Sequence, residues 1–151
     1  MPNRVPSIFV ITSLYRSEMG RYFYRKELRT QIYLRFEIID PTMADRPLGR
    51  AERLSATAAG LAQCDLVLAI LERPVVEVDV FAAIQTAHGL GKIIEGYLGE
   101  EAPLINLDTA TVNTRAEEAI IASGGVISHS TEELYAVLRR RSNELFRKLL
   151  A

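Results

Sequence analysis

The stretch Asp65-Leu-Val-Leu-Ala-Ile-Leu71 constrains the fold more than any other part of the chain. Its apolar run is far too short to span a membrane and shows no polar alternation, so it reads as a strand buried on both faces. Such a strand needs neighbours of the same kind. Ser7-Ile-Phe-Val-Ile-Thr-Ser13 supplies one, and Phe36-Glu-Ile-Ile-Asp40, stopped by Pro41, supplies another; Lys92-Ile-Ile94 and Val126-Ile-Ser128 add two shorter ones. Segments at helical spacing lie between them. They run from Ser17 to about Gln31, from Arg50 to Gln63, from beyond Pro74 to about His88, and from Asn113 to Ser123. A last helix opens at the capping box Ser130-Thr-Glu-Glu133 and continues to the C-terminus.

Strands alternating with helices over short loops predict an α/β fold. The expected form is a doubly wound, flavodoxin- or Rossmann-like parallel sheet of roughly five strands with helices on both faces. With 151 residues, the chain is read as a single domain over 1–151. Eighteen basic against nineteen acidic side chains give a net charge of -1, which offers no broad cationic surface and makes nucleic acid an unexpected partner. The opening MPNRVPS lacks a signal-peptide core and Cys64 has no internal partner, so a cytoplasmic protein without membrane contact is expected.

In open parallel sheets, ligands sit beyond the carboxyl ends of the strands. Candidate site residues are therefore sought in Thr12–Ser17, Asp40–Asp45, Glu72–Asp79, Glu95–Gly99 and His129–Ser130. Ser13, Tyr15, Arg16 and Ser17 place hydroxyls, a phenol and a guanidinium just ahead of a helix N-terminus, a combination suited to an anion. No Walker loop or GxGxxG follows the first strand. Glu77 and Asp79 put two carboxylates at the start of the third long helix, where such a pair can divide acid, base or nucleophile roles.

His88 and His129 lie far apart, and with a single cysteine in the chain neither a metal site nor a cofactor is expected. Cys64 reads as packing at a helix end, and Arg139-Arg140-Arg141 as a solvated helix face. The cluster Tyr22-Phe23-Tyr24 on the first helix is apolar enough to pack against another chain.

Several segments, taken in order, resemble the nucleoside 2-deoxyribosyltransferase family. They are Ile8 to Arg16, Ala62 to Leu71, Ala87-His-Gly-Leu-Gly-Lys-Ile-Ile94, Asn113 to Ile127, and Ser130-Thr-Glu-Glu-Leu134. The resemblance implies a small, doubly wound, homo-oligomeric protein that transfers a deoxyribosyl group between bases or hydrolyses the glycosidic bond. A carboxylate attacks the anomeric carbon in that chemistry, and an acid protonates the departing base.

Counting back from Lys92 places Ala83 at the family's nucleophile position. The second family acid is matched by Thr57 and the third by Glu77. The loop residues Ser13, Tyr15 and Arg16 persist, as does an asparagine, Asn113 or Asn106, that in the family reaches a neighbouring subunit's site. Ser130 is a further candidate contact.

These readings leave three functions as expectations. One is an enzyme on nucleosides or nucleotides with Glu77 or Asp79 as replacement nucleophile, and another is a non-catalytic nucleotide-binding sensor or interaction module. The third is a short sugar glycosyltransferase, a family that Ser13-Leu14 to Asp40 together with Glu77-Val-Asp79-Val80 resembles. In the binding reading, a nucleoside 5′-monophosphate is held more tightly than the nucleoside through Ser13 and Arg16.

Overall fold

β-Branched and aliphatic residues in short runs build the centre of the molecule. A computed structural model describes residues 5–71, 77–99 and 107–150. Its strands are β1 (Ser7–Ile11), β2 (Glu37–Ile39), β3 (Leu66–Ile70), β4 (Ile94–Tyr97) and β5 (Ile127–Ser128). All pair in parallel, in the order β2-β1-β3-β4-β5. Every residue of β1 and of β3 is buried, as strands covered on both faces require.

The helices are α1 (Glu18–Phe23), α2 (Arg29–Tyr33), α3 (Arg50–Gln63), α4 (Val78–Gly89), α5 (Leu107–Ala122) and α6 (Thr131–Leu150). Because side chains alternate along a strand, each strand feeds two cores. Phe9, Ile11, Val67 and Ala69 pack with Leu61 of α3, Ile84 of α4 and Ile120 of α5. Ile8, Val10, Leu66, Leu68 and Ile70 pack with Leu28, Ile32 of α2, and Leu134 and Leu138 of α6. The sheet is thus covered on both sides, as the alternation of segments predicts. Gly60 allows α3 to lie directly on β1, since a Cβ there would overlap the Phe9 ring.

Three local expectations are corrected. The first helix is not continuous: a π turn, Tyr24–Leu28, separates α1 from α2. Tyr24 is consequently not part of an outward-facing cluster. It is fully buried, and its hydroxyl donates to Asp40 Oδ2 at 2.5 Å. Arg29 Nε reaches the same oxygen at 3.2 Å. Burial and the Asp40 charge push the Tyr24 phenol far above its ordinary value.

The arginine run on α6 is not wholly solvated either. Arg141 turns inward to the carboxylate of Glu95, which is 0% exposed in β4, and also donates to the Gly124 carbonyl at 2.6 Å. Glu95 Oε1 accepts the Val126 N–H at 2.9 Å, so the buried charge has a cation and a backbone donor. The third correction lies in α5, which begins at Leu107 rather than at Asn113.

Cys64 is packing, as its context suggests. It is buried at the end of α3, and burial pushes its thiol up. Among the described residues, no helix is long and apolar enough to cross a membrane.

Candidate functional site

Strand order reverses at β1, because the chain steps from β1 outward to β2 and then back to β3 on the other side. In such sheets a crevice is expected at this point, beyond the carboxyl ends of the strands. After Ile11 the chain turns through Thr12 to Arg16. Thr12 Oγ1 accepts the Leu14 N–H at 3.0 Å, and Ser17 Oγ accepts the Gly20 N–H at 2.9 Å as the N-cap of α1. Gly20 permits this close turn, since a Cβ would overlap the Leu14 carbonyl oxygen. The loop is fastened at both ends, with Tyr15 and Arg16 between them.

Facing it is the start of α4. Glu77 is the N-cap, its Oε2 accepting the N–H groups of Asp79 at 3.1 Å and Val80 at 3.3 Å. Its Oε1 accepts from Arg16 Nη2 at 2.9 Å, so the loop after β1 and the start of α4 are in contact. Asp79 Oδ1 pairs in turn with Nη2 of Arg50, from the first turn of α3, at 3.3 Å. Two ion pairs thus join three elements around the rim. The Tyr15 ring has the Arg16 guanidinium 5.6 Å from its centroid and that of Arg53 at 5.2 Å. Arg53 also donates from Nη1 to the Leu48 carbonyl at 2.9 Å.

Beneath the rim lies a cleft with about 130 Å³ of room for solvent-sized groups. That is many times the 10–15 Å³ or so a single water requires. Its floor and walls include Phe9, Ile11, Leu54, Leu61, Val80 and Ala83, and its polar positions are Thr12, Tyr15, Thr42, Arg53, Thr57, Glu77, Asp79 and Thr86. Ala83 and Thr57, which stand at two family carboxylate positions by resemblance, therefore face the same space as Glu77, which stands at the third. An apolar lining with a few convergent polar groups is the usual form of a small-molecule site.

Of the candidates read from the sequence, Tyr15, Glu77 and Asp79 line the cleft, while Arg16 lies at its rim against Glu77. Ser17 serves α1. Ser13 is 2% exposed, and among the described residues its hydroxyl has no hydrogen-bond partner; it comes directly after the cleft residue Thr12 without itself forming the wall. Ser130 stands apart. Its hydroxyl accepts the Glu133 N–H at 3.2 Å to cap α6 beyond β5, at the far edge of the sheet from β2. Its position is explained by helix capping rather than by the cleft. Asn106 and the side chain of Asn113 lie outside the described residues, as do Val75 and Val76.

Thr42 lies within the expected stretch Asp40–Asp45, whereas sequence reasoning does not single out Arg50 or Arg53. A signal is nonetheless there: Arg50 and Arg53 sit in the first turn of α3, where the helix dipole disfavours cations. Arginines placed against the dipole call for another partner. Arg50 has Asp79.

No protein-family model matches the chain, and no curated protein matches it in sequence. Solved structures do. A conserved protein from Enterococcus faecalis V583 superposes with a TM-score of 0.73 at 14% identity, over 91% of this chain and 99% of that one. The CMP N-glycosidase BcmB of Clostridium botulinum superposes with a TM-score of 0.55 at 19% identity, over 88% of this chain and 98% of that one. At such identities the likeness is one of architecture: this chain has the α/β fold on which a CMP N-glycosidase is built.

Proposed function

We propose that the chain is a divergent relative of the nucleoside 2-deoxyribosyltransferases that binds a nucleotide-like molecule in this cleft without the family's covalent chemistry. The observation that carries the reading is Ala83 in the cleft wall. A methyl group has no lone pair to offer an anomeric carbon, and the neighbouring Thr57 is no acid at neutral pH. The acids that remain are engaged. Both oxygens of Glu77 are taken, one by Arg16 and the other by two backbone N–H groups, and these bonds must break before Glu77 could attack anything. Asp79 is held by Arg50.

Binding makes smaller demands. The apolar floor suits a planar base or the face of a sugar, the threonine hydroxyls suit its polar edge, and the arginines suit an anion. Self-association belongs to the same proposal and is supported by apolar surface left exposed on α1 at Met19 and Tyr22. Sedimentation of the purified protein tests it.

Calorimetry with cytidine and cytidine 5′-monophosphate, and with the matching nucleoside and monophosphate of each other common base, tests the binding. The expected result is tighter binding of at least one monophosphate than of its nucleoside, with no free base released. Absence of binding for every ligand would reject the reading. Release of free base that disappears in Glu77→Gln or Asp79→Asn would replace it with a glycosidase using those carboxylates.

A further inference from the structure

From the distribution of charge in the cleft we infer that Arg53, rather than Arg16, is the residue that holds the anionic group of the ligand and sets the preference for phosphorylated over unphosphorylated molecules. This rests on the nucleotide-binding reading above and makes it more specific.

The arginines at the site differ in what they have left to give. Arg16 is committed to Glu77 at 2.9 Å, is half exposed, and does not form part of the cleft wall. Arg50 is committed to Asp79 at 3.3 Å and likewise lies outside the wall. Arg53 lines the cleft, and among the described residues no carboxylate pairs with it. Its Nη1 is used by the Leu48 carbonyl, which leaves the rest of a five-donor fork for a ligand. Stacking on Tyr15 limits how that fork can swing, so the guanidinium is pre-oriented.

Two further observations agree. Arg53 is in the first turn of α3, where the N-cap Gly49 contributes no side chain and the one acid of the turn, Glu52, is paired with Arg46 at 3.0 Å, so cation and helix dipole act together at this corner. The turn Pro41–Met43 packs against α3, and Thr42 of that turn lines the same cleft with a buried hydroxyl that has no hydrogen-bond partner among the described residues. A buried polar group left unsatisfied in a cleft is a place where a ligand oxygen or a water belongs. Arg53 and Thr42 line one cleft, so a charged donor fork and a neutral hydroxyl are both open to the oxygens of an anion such as a phosphate or sulfate monoester.

The test measures the ratio of nucleoside to 5′-monophosphate dissociation constants in the wild type, Arg53→Gln, Arg53→Lys, Arg16→Gln and a control on the other face of the sheet, Arg140→Gln on α6. The expected result is that Arg53→Gln lowers the ratio by about tenfold or more while nucleoside affinity stays within about twofold, because a charge-assisted hydrogen bond is lost only for the anion. Arg53→Lys recovers part of the ratio, as a charge effect requires and a merely structural role does not. A ratio preserved in Arg53→Gln, or one lost only in Arg16→Gln, overturns the assignment.

A second measurement stands apart from nucleotides. Inorganic phosphate is titrated while the arginine Nε–H resonances are monitored, and a saturable shift at Arg53 is expected. If no nucleotide binds but phosphate still shifts Arg53, the nucleotide reading falls and the anion site stands. If phosphate leaves Arg53 unmoved, the anion site itself is wrong.

Discussion

Arg141 of α6 reaches Glu95 of β4 with 3.3 Å between Nε and Oε2, anchoring the last helix to a carboxylate that no solvent touches. The pair lies on the β4–β5 side of the sheet, away from the cleft, so its consequences are for stability. Removing the cation strands a buried charge. Arg141→Met is expected to lower unfolding free energy by about 3–5 kcal/mol, and the double variant Glu95→Gln/Arg141→Met to recover much of it, since an uncharged pair needs no counter-ion. Urea denaturation of the three proteins checks this. A loss below about 1 kcal/mol in the single variant would show that Val126 N–H alone satisfies Glu95.

Ala83 gives a second expectation. If it occupies the position of the family nucleophile, Ala83→Glu puts a carboxylate into the cleft wall, where it can attack the anomeric carbon as the base departs. Free base release at least about tenfold above wild type is expected, on the scale of one group's contribution to covalent catalysis. Chromatography detects the base, and mass spectrometry detects the sugar ester before water hydrolyses it. A folded Ala83→Glu protein that binds nucleotide but leaves it intact would show that residue 83 does not face the reacting carbon.

The third expectation concerns alkaline pH. Tyr24 is buried against Asp40 and its phenol is held far above the ordinary 10.0. A raised folded value means that the native state keeps its proton after the unfolded chain has lost it. The stabilisation is fully present below about pH 10 and declines as pH rises beyond that, because stability falls wherever the folded state binds more protons. Relative to Tyr24→Phe, the wild type is expected to lose its advantage progressively above pH 10 and to show none of this trend at neutral pH. Parallel denaturation curves would decide it, and identical pH profiles would contradict the assignment.

The sheet is legible in the sequence because its signals are local. Asp65 to Leu71 and Ser7 to Ser13 are apolar enough to be nothing else, and the helical spacing of Arg50 to Gln63 has the same bounds as α3. Glu77 as a mouth residue is also legible, from its place between a strand and a helix. The features that escape depend on distance in space. Nothing adjacent to Tyr24 announces Asp40, and nothing beside Arg141 announces Glu95, because these partners are brought together only by the crossovers of the sheet. The π turn escapes for another reason. It adds a residue to one turn and rotates the helix beyond it, so Tyr24, Leu28 and Ile32 share one core. Arg53 is visible as a cation in the wrong part of a helix, yet its use depends on Arg16 and Arg50 being already paired, which only the folded chain reveals.

The two rim bridges, Arg16–Glu77 and Arg50–Asp79, involve arginines more than half exposed. Pairs of this kind contribute at most about 1 kcal/mol each and weaken as counter-ions gather around them. The floor below is held by burial, which ordinary salts do not dissolve. Entrance and interior of one cavity thus obey separate solution variables: ionic strength loosens the doorway while leaving the chamber's shape as it was.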